Sequence, residues 1–473
     1  MVFSSLLFLF RFLPCVMLVY YIAPDCMKNA WKNLVLFLFS LLFYAWGEPV
    51  YVILMIFSTL IDYINGGLAG YFINKDRKNI AKLFVILSVI INLSLLGFFK
   101  YGEFAVDILN KFTGINIVWH KLSLPIGISF YTFQTMSYTI DIYRGEAKPE
   151  KNIINFGAYV ALFPQLIAGP IVRFKDIGSQ LRERKISLES LSYGAVRFTT
   201  GLGKKVLLAN QAGLIFNAVT GYTTQLTTSA AWLGILAYTF QIYFDFSGYS
   251  DMAIGLMNMF GFNIPENFNY PYEAKSITEF WRRWHISLGT WFREYVYIPL
   301  GGNRCGDIRT FLNIFLVWFL TGLWHGASLN FIAWGLYYCF FLVLEKLIFK
   351  NILKKIPSIL CHIYTMAIVY IGWILFAWQE IPNHRLYLKS MCGKAPAGIV
   401  NNETLYLYAS SLILIVTFII GSTHLPKKLF YNISAKHKAL EVCLKSFGIA
   451  IILLLSVAYL INGTYNPFLY FRF

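Results

Sequence analysis

A chain of 473 residues that is 58% hydrophobic and only 13% charged falls far below the roughly 25% charge of an average soluble domain, which excludes a water-soluble enzyme. The 18% aromatic content suits a protein with aromatic belts at two lipid interfaces. The formal net charge of +17 raises nucleic acid as a partner, but the basic clusters, such as Asn74–Lys78 and Arg182–Lys185, sit between apolar runs, where the positive-inside rule sets them against anionic headgroups, and this excludes nucleic-acid binding.

Apolar runs of near-spanning length follow one another at 3–22, 33–47, 50–72, 83–99, 122–140, 153–172, 206–221, 230–246, 310–327, 329–344, 363–378, 404–422 and 445–462. A spanning helix needs about 20 residues, or about 17 at the short end. The expectation is therefore an all-α polytopic membrane protein with about ten to twelve transmembrane helices, the shorter runs being re-entrant or interfacial. The first run has no basic start and no small-residue cleavage site after it, so it reads as a spanning helix and not as a removed leader. The loop at 73–82 is basic, which places it in the cytoplasm and the N-terminus outside. Loops 143–152 and 173–185 are both basic although one apolar run, 153–172, separates them, so either that run dips in and returns or one loop is external; Pro164, Gly169 and Pro170 favour a broken helix buried among others. The mixed stretch from Ser187 to Phe216 opens on a helix-start signal at Ser187–Ser190 and reads as an interfacial helix that becomes a span. No linker, repeat or soluble domain interrupts the chain, so residues 1–473 read as one domain.

The densest polar region runs from Phe244 to Arg304. Asp245 and Asp251 end a long uncharged stretch; they read either as groups that orient a histidine or as a helix cap at the membrane surface. Asn267 and Asn269 read as turn residues before Pro271. Trp281, Trp284 and Leu288 are spaced i, i+3, i+7, which predicts one helix across this piece. Arg282, Arg283 and His285 take its other faces. Two adjacent arginines do not sit in lipid, so the helix either lines a wet cavity that binds an anionic donor or lies at the interface with its arginines snorkelling.

His325 lies in an apolar stretch, Thr310–Leu344, without Asp, Glu, Lys or Arg. An ionisable group there is costly and marks a functional site by default, and imidazole is suited to proton exchange near neutral pH. Packing glue between helices is the alternative. Gly322 and Gly326, four apart, predict that another element closely covers His325. His120, His362, His384, His424 and His437 lie at run ends or in loops and read as interfacial or solvated. The cysteines, Cys15, Cys26, Cys305, Cys339, Cys361, Cys392 and Cys443, have no metal-ligand spacing, so neither a disulfide framework nor a metal site is expected. Phosphate-loop, zinc-protease and nucleophile-elbow motifs are absent. That absence fits direct transfer between two bound substrates.

Several motifs in order strongly resemble the membrane-bound O-acyltransferase (MBOAT) family, in its alginate O-acetyltransferase-like branch. They are the opening Met1–Ser5, Leu124–Tyr131, Asp141–Gly145, Phe163–Pro170, Tyr243–Asp251, Trp281–His285 and Gly322–Gly326. The likeness runs to at least Glu345, and the tail beyond about Lys350 is generic. It implies a many-helix fold around a central funnel thinned by re-entrant helices. It implies that His325 matches the family's catalytic histidine and His285 a second one nearby, with Arg282, Arg283, Trp284, Asp245 and Asn269 as candidate substrate contacts. It implies O-acetyl transfer with no bound cofactor, from a cytoplasmic donor such as acetyl-CoA or another acyl carrier. The acceptor would be an extracellular or cell-wall polysaccharide, reached directly or through an extracytoplasmic partner transferase, at a bacterial cytoplasmic membrane. D-alanyl transfer to teichoic acid and polysaccharide transport stand as alternatives.

Overall fold

The computed structural model describes residues 1–23, 28–120, 122–349, 352–434, 438–463 and 465–468; Cys26 and His437 lie outside them. It is 75% helix, and no strand occurs among the described residues. Among the described residues, eight helices are long and apolar enough to cross a membrane. They match the runs that start in the sequence at 33, 50, 83, 310, 329, 363, 404 and 445. The first run forms a shorter apolar helix, Phe8–Tyr21. The protein is a multi-pass helical membrane protein.

The other apolar runs depart from simple spans for local reasons. The run at 122–140 becomes helical only at Ile128, after Pro125, and its helix, Ile128–Arg144, has 17 residues. The run at 153–172 breaks as the prolines foretold. Helix Ile153–Ala161 ends at Leu162, whose ψ of 106° leaves the helical region, and a four-residue turn, Phe163–Leu166, follows with Pro164, which has no N–H to continue the first helix. Residues 156–172 are buried throughout. The run at 230–246 forms part of a 32-residue helix, Thr228–Met259. The helix-start signal at Ser187 holds: its Oγ accepts from Ser190 N at 3.1 Å, and helix Leu188–Gly203 begins there.

The chain divides into two compact units. One comprises Met1–Phe198 and Ser250–Glu266; the other comprises Thr199–Tyr249 and Asn267–Phe473. In the first unit, helices Tyr51–Asn74, Lys78–Leu96 and Ile128–Arg144 meet along a polar seam. Fully buried Asp62 accepts from Ser88 Oγ at 2.5 Å and Asn92 Nδ2 at 2.7 Å, and Thr135 Oγ1 donates to Asn92 Oδ1 at 3.3 Å. Between apolar helices in lipid, such bonds and close small-residue contacts replace the hydrophobic effect as the association force.

In the second unit, helices Asp307–His325 and Leu329–Leu347 form a tight antiparallel hairpin. A Cβ at Gly335 would stand 2.4 Å from the Trp318 carbonyl, and one at Gly322 would stand 2.5 Å from the Phe331 carbonyl. Backbones this close admit only glycine. The uncharged stretch from Thr310 to Leu344 is thus two helices with a turn at Gly326–Ser328, where Ser328 N donates to the Gly326 carbonyl at 3.0 Å.

Candidate active site

His325 is the last residue of helix Asp307–His325 and is 5% exposed. The covering element predicted from Gly322 and Gly326 is the second arm of its own hairpin: a Cβ at Gly326 would lie 2.4 Å from the Phe331 ring. The imidazole lies edge-on to Trp334 at 4.9 Å between ring centroids and to Phe376 at 5.2 Å, and it meets Phe331 at 6.4 Å. Three rings from the helices that follow it therefore define its orientation. An aromatic box of this kind excludes water and limits the ring's rotamers.

His285 stands where the sequence predicts an unbroken helix. Instead, two short helices, Ile277–Arg283 and Ile286–Phe292, flank it, and its φ of 45° is left-handed. The cause is the segment 267–269, which takes backbone bonds a continuous helix would keep. Asn269 N donates to the Arg283 carbonyl at 2.9 Å, and Ile286 N donates to the Asn267 carbonyl at 3.0 Å. A non-glycine residue at positive φ is uncommon and is held only where its surroundings over-determine it. The ring is 3% exposed, lies edge-on to Phe246 at 4.7 Å and packs on Trp324 at 5.9 Å. Its Nδ1 is 3.1 Å from Asn267 Oδ1. His285 lies outside the eight candidate spans, and burial pushes its imidazole down to about 3, so it is neutral at physiological pH.

The helix that leads to His285 is anchored at its start. Ser276 caps it, its Oγ accepting from Glu279 N at 3.0 Å. The Glu345 carboxylate, from the hairpin's second arm, accepts from Ile277 N at 2.6 Å, Thr278 N at 2.9 Å and Thr278 Oγ1 at 2.7 Å. An anion there satisfies N–H groups that the first helical turn leaves without partners.

Both histidines line one cavity of about 860 Å³, together with Trp281, Arg282, Trp284 and Arg293. Of the other residues singled out in the sequence, several lie elsewhere. Arg283 does not reach the cavity wall: its Nη2 is 2.7 Å from Glu279 and its Nη1 4.0 Å from Glu273. Asn269 is exposed, and its backbone N–H and carbonyl bond to Arg283. Asp245 caps nothing. It sits in the interior of helix Thr228–Met259 and pairs with buried Lys205, Nζ to Oδ1 2.6 Å. Asp251, on the same helix, lies 2.6 Å from the Arg197 guanidinium, so the surface-cap reading fails for both acids. An acid that pairs with a cation from another helix need not end its own, and neither cation is near in sequence.

Among the remaining histidines, His120 is exposed, His362 Nδ1 donates to the Ala274 carbonyl at 3.0 Å, His384 stacks on Trp378 at 4.5 Å, and His424 pairs with Glu273 at 2.6 Å. Sequence reasoning missed Asn267, Glu345 and Arg293. In the sequence Asn267 reads as a turn residue; in the structure it is fully buried. The one signal it carried was its place beside the densest polar motif in the chain.

The chain matches the profile of the membrane-bound O-acyltransferase family over residues 6–378. It is 45% identical to the "Probable alginate O-acetylase AlgI" of Pseudomonas aeruginosa over 388 residues, 80% of this chain and 73% of that one. It is 34% identical to a peptidoglycan O-acetyltransferase of Helicobacter pylori, covering 83% of this chain and 80% of the relative. A teichoic acid D-alanyltransferase of Bacillus subtilis is more distant, at 26% identity over 61% of this chain and 80% of its own length.

Proposed function

Because the chain belongs to the membrane-bound O-acyltransferase family, we propose that it is a membrane O-acetyltransferase that passes an acetyl group from a cytoplasmic donor to hydroxyls of an extracellular or cell-wall polysaccharide. The observation that carries this reading is that two histidines from separate elements line one cavity, each buried among aromatic rings. The named activities of the more similar relatives, on alginate and on peptidoglycan, support acetyl over D-alanyl transfer.

His325 acts as the general base. Its imidazole takes the proton of the acceptor hydroxyl as the oxygen attacks the acetyl carbonyl carbon. The bond from that carbon to the donor sulfur breaks, and the proton passes to the departing thiolate. The donor is acetyl-CoA or another acetyl thioester carrier. Arg282 and Arg293 on the cavity wall give its phosphates a cationic contact. Trp284 closes the wall beside them, and His285 positions the reacting groups. The enzyme sits in a bacterial cytoplasmic membrane, and the acetyl group reaches the polymer directly or through a partner transferase on the outer side. About ten to twelve spans around a funnel count some of the apolar runs of the sequence beyond the eight helices long and apolar enough to cross.

The test is transfer of radiolabelled acetyl groups by the purified protein in vesicles, with donor on one side and polymer on the other. His325→Ala should lower the rate by about 10²–10⁴-fold, the usual worth of a positioned acid–base group, while the protein still inserts. Undiminished transfer by that variant removes His325 from the chemistry. Incorporation of label from a D-alanyl carrier alone points to teichoic acid, and movement of polymer without acyl exchange points to a transporter.

A further inference from the structure

We propose that Asn267 is a positioning residue that sets the tautomer of His285, holding the proton on Nδ1 and the lone pair on Nε2. The inference rests on the reading of His285 as part of the transfer site. Asn267 is fully buried, and its Oδ1 lies 3.2 Å from Ser287 N, 2.9 Å from Ser287 Oγ and 3.1 Å from His285 Nδ1. A backbone N–H can only donate, so the side-chain atom facing Ser287 N is the amide oxygen and not the nitrogen. An amide oxygen can only accept, so the His285 nitrogen that meets it carries the hydrogen. A neutral imidazole has one N–H, which leaves Nε2 as the basic nitrogen.

The backbone holds the same arrangement. Ile286 N donates to the Asn267 carbonyl at 3.0 Å, so Asn267 holds the chain just after the left-handed His285 twice, at Ile286 through its carbonyl and at Ser287 through its side chain. The 285–287 turn and the ring are thereby placed together. Phe246 and Trp324 close on the ring from two other helices. The consequence for the reaction is directional. Neutral His285 takes a proton or a hydrogen bond at Nε2, and it cannot offer an Nε2–H to the oxyanion that forms on the acetyl carbonyl. It therefore works on the side of the hydroxyl or of a donor amide N–H, beside His325.

The charged groups on the same cavity wall are Arg282, Arg293, Lys346 and Glu345, with His325 the other titratable imidazole; the Glu345 carboxylate is engaged by Ile277 and Thr278. Their effect on a pH profile is common to wild type and Asn267 variants, which makes the difference between profiles the useful quantity.

The experiment uses the full chain in detergent or vesicles, labelled with ¹⁵N-histidine, and assigns the His285 signals by their loss in His285→Gln. Wild type should show a protonated Nδ1 and an unprotonated Nε2, and Asn267→Leu should lose that bias. In acetyl transfer, Asn267→Leu should lower kcat by about ten- to a hundredfold, as when an imidazole loses its orienting partner, with KM for the donor within about twofold. Asn267→Asp keeps the acceptor and adds a charge, so it should retain the tautomer and move the acidic limb of the rate profile toward higher pH by about one unit or more. A purely structural role would move neither the tautomer nor that limb. An Nε2–H tautomer in wild type overturns the inference, as does an unchanged spectrum in Asn267→Leu. Loss of transfer in His285→Gln, with wild-type rates and profiles in both Asn267 variants, also overturns it and leaves the wider reading standing. Wild-type transfer in His285→Gln removes His285 from the reaction, and with it the catalytic consequence drawn here.

Discussion

Lys205 and Asp245 show how much a single buried pair can decide. Both side chains are at most 3% exposed, and Nζ and Oδ1 are 2.6 Å apart; the ammonium also donates to the Pro467 carbonyl. Removing one partner of such a pair strands a charge and costs about 3–5 kcal/mol, whereas replacing both with apolar residues of similar volume is close to neutral. Lys205→Met should therefore lower the melting temperature in detergent sharply, and Lys205→Met with Asp245→Leu should recover most of the loss. A single variant that melts with wild type would show that the pair is solvated. The sequence made Asp245 visible as a rare acid between apolar runs, but it held no sign of Lys205 as its partner. Likewise His325 was conspicuous by its surroundings, whereas Asn267 was hidden because asparagine before a proline is an ordinary turn residue.

Among the elements, the pair of short helices around His285 departs most from its sequence pattern. Apolar spacing describes a helix's faces and is blind to where a neighbouring segment diverts its hydrogen bonds. Here the 267–269 segment breaks the helix, and Glu345 restores the loss at the other end by accepting from two backbone N–H groups. Glu345→Ala leaves those buried donors without their acceptor, at about 1–3 kcal/mol each. It should reduce both melting temperature and acetyl transfer, since Arg282 lies on that short helix and His285 directly after it. Glu345→Gln keeps one oxygen and should fall between. If Glu345→Ala transfers acetyl groups like wild type, the anchor has no bearing on the site. The hairpin that carries His325 was more legible, because Gly322 and Gly326 announce close approach; that the covering arm is the next helix in the chain follows from the turn at Gly326–Ser328.

At the scale of the whole molecule, the positive-inside rule predicts that the basic loop between helices Tyr51–Asn74 and Lys78–Leu96 faces the cytoplasm. In a cysteine-free background, Lys75→Cys should resist an impermeant maleimide on intact cells and react after permeabilisation. Labelling on intact cells would invert the topology and move the donor to the other face. The helical, membrane-spanning class and the positions of the eight candidate spans were determined by the sequence by itself, because span length and hydropathy are properties of a contiguous segment answering to the thickness of a bilayer. So was the family, through motifs read in order. Only the tertiary structure decided that Arg282 and not Arg283 reaches the cavity, that Asp245 pairs with Lys205, and that Asn267 and Glu345 hold the element carrying His285. The physical reason is that helices in lipid associate through shape and a few interhelical hydrogen bonds, and these join residues far apart in the chain with no periodic trace along it.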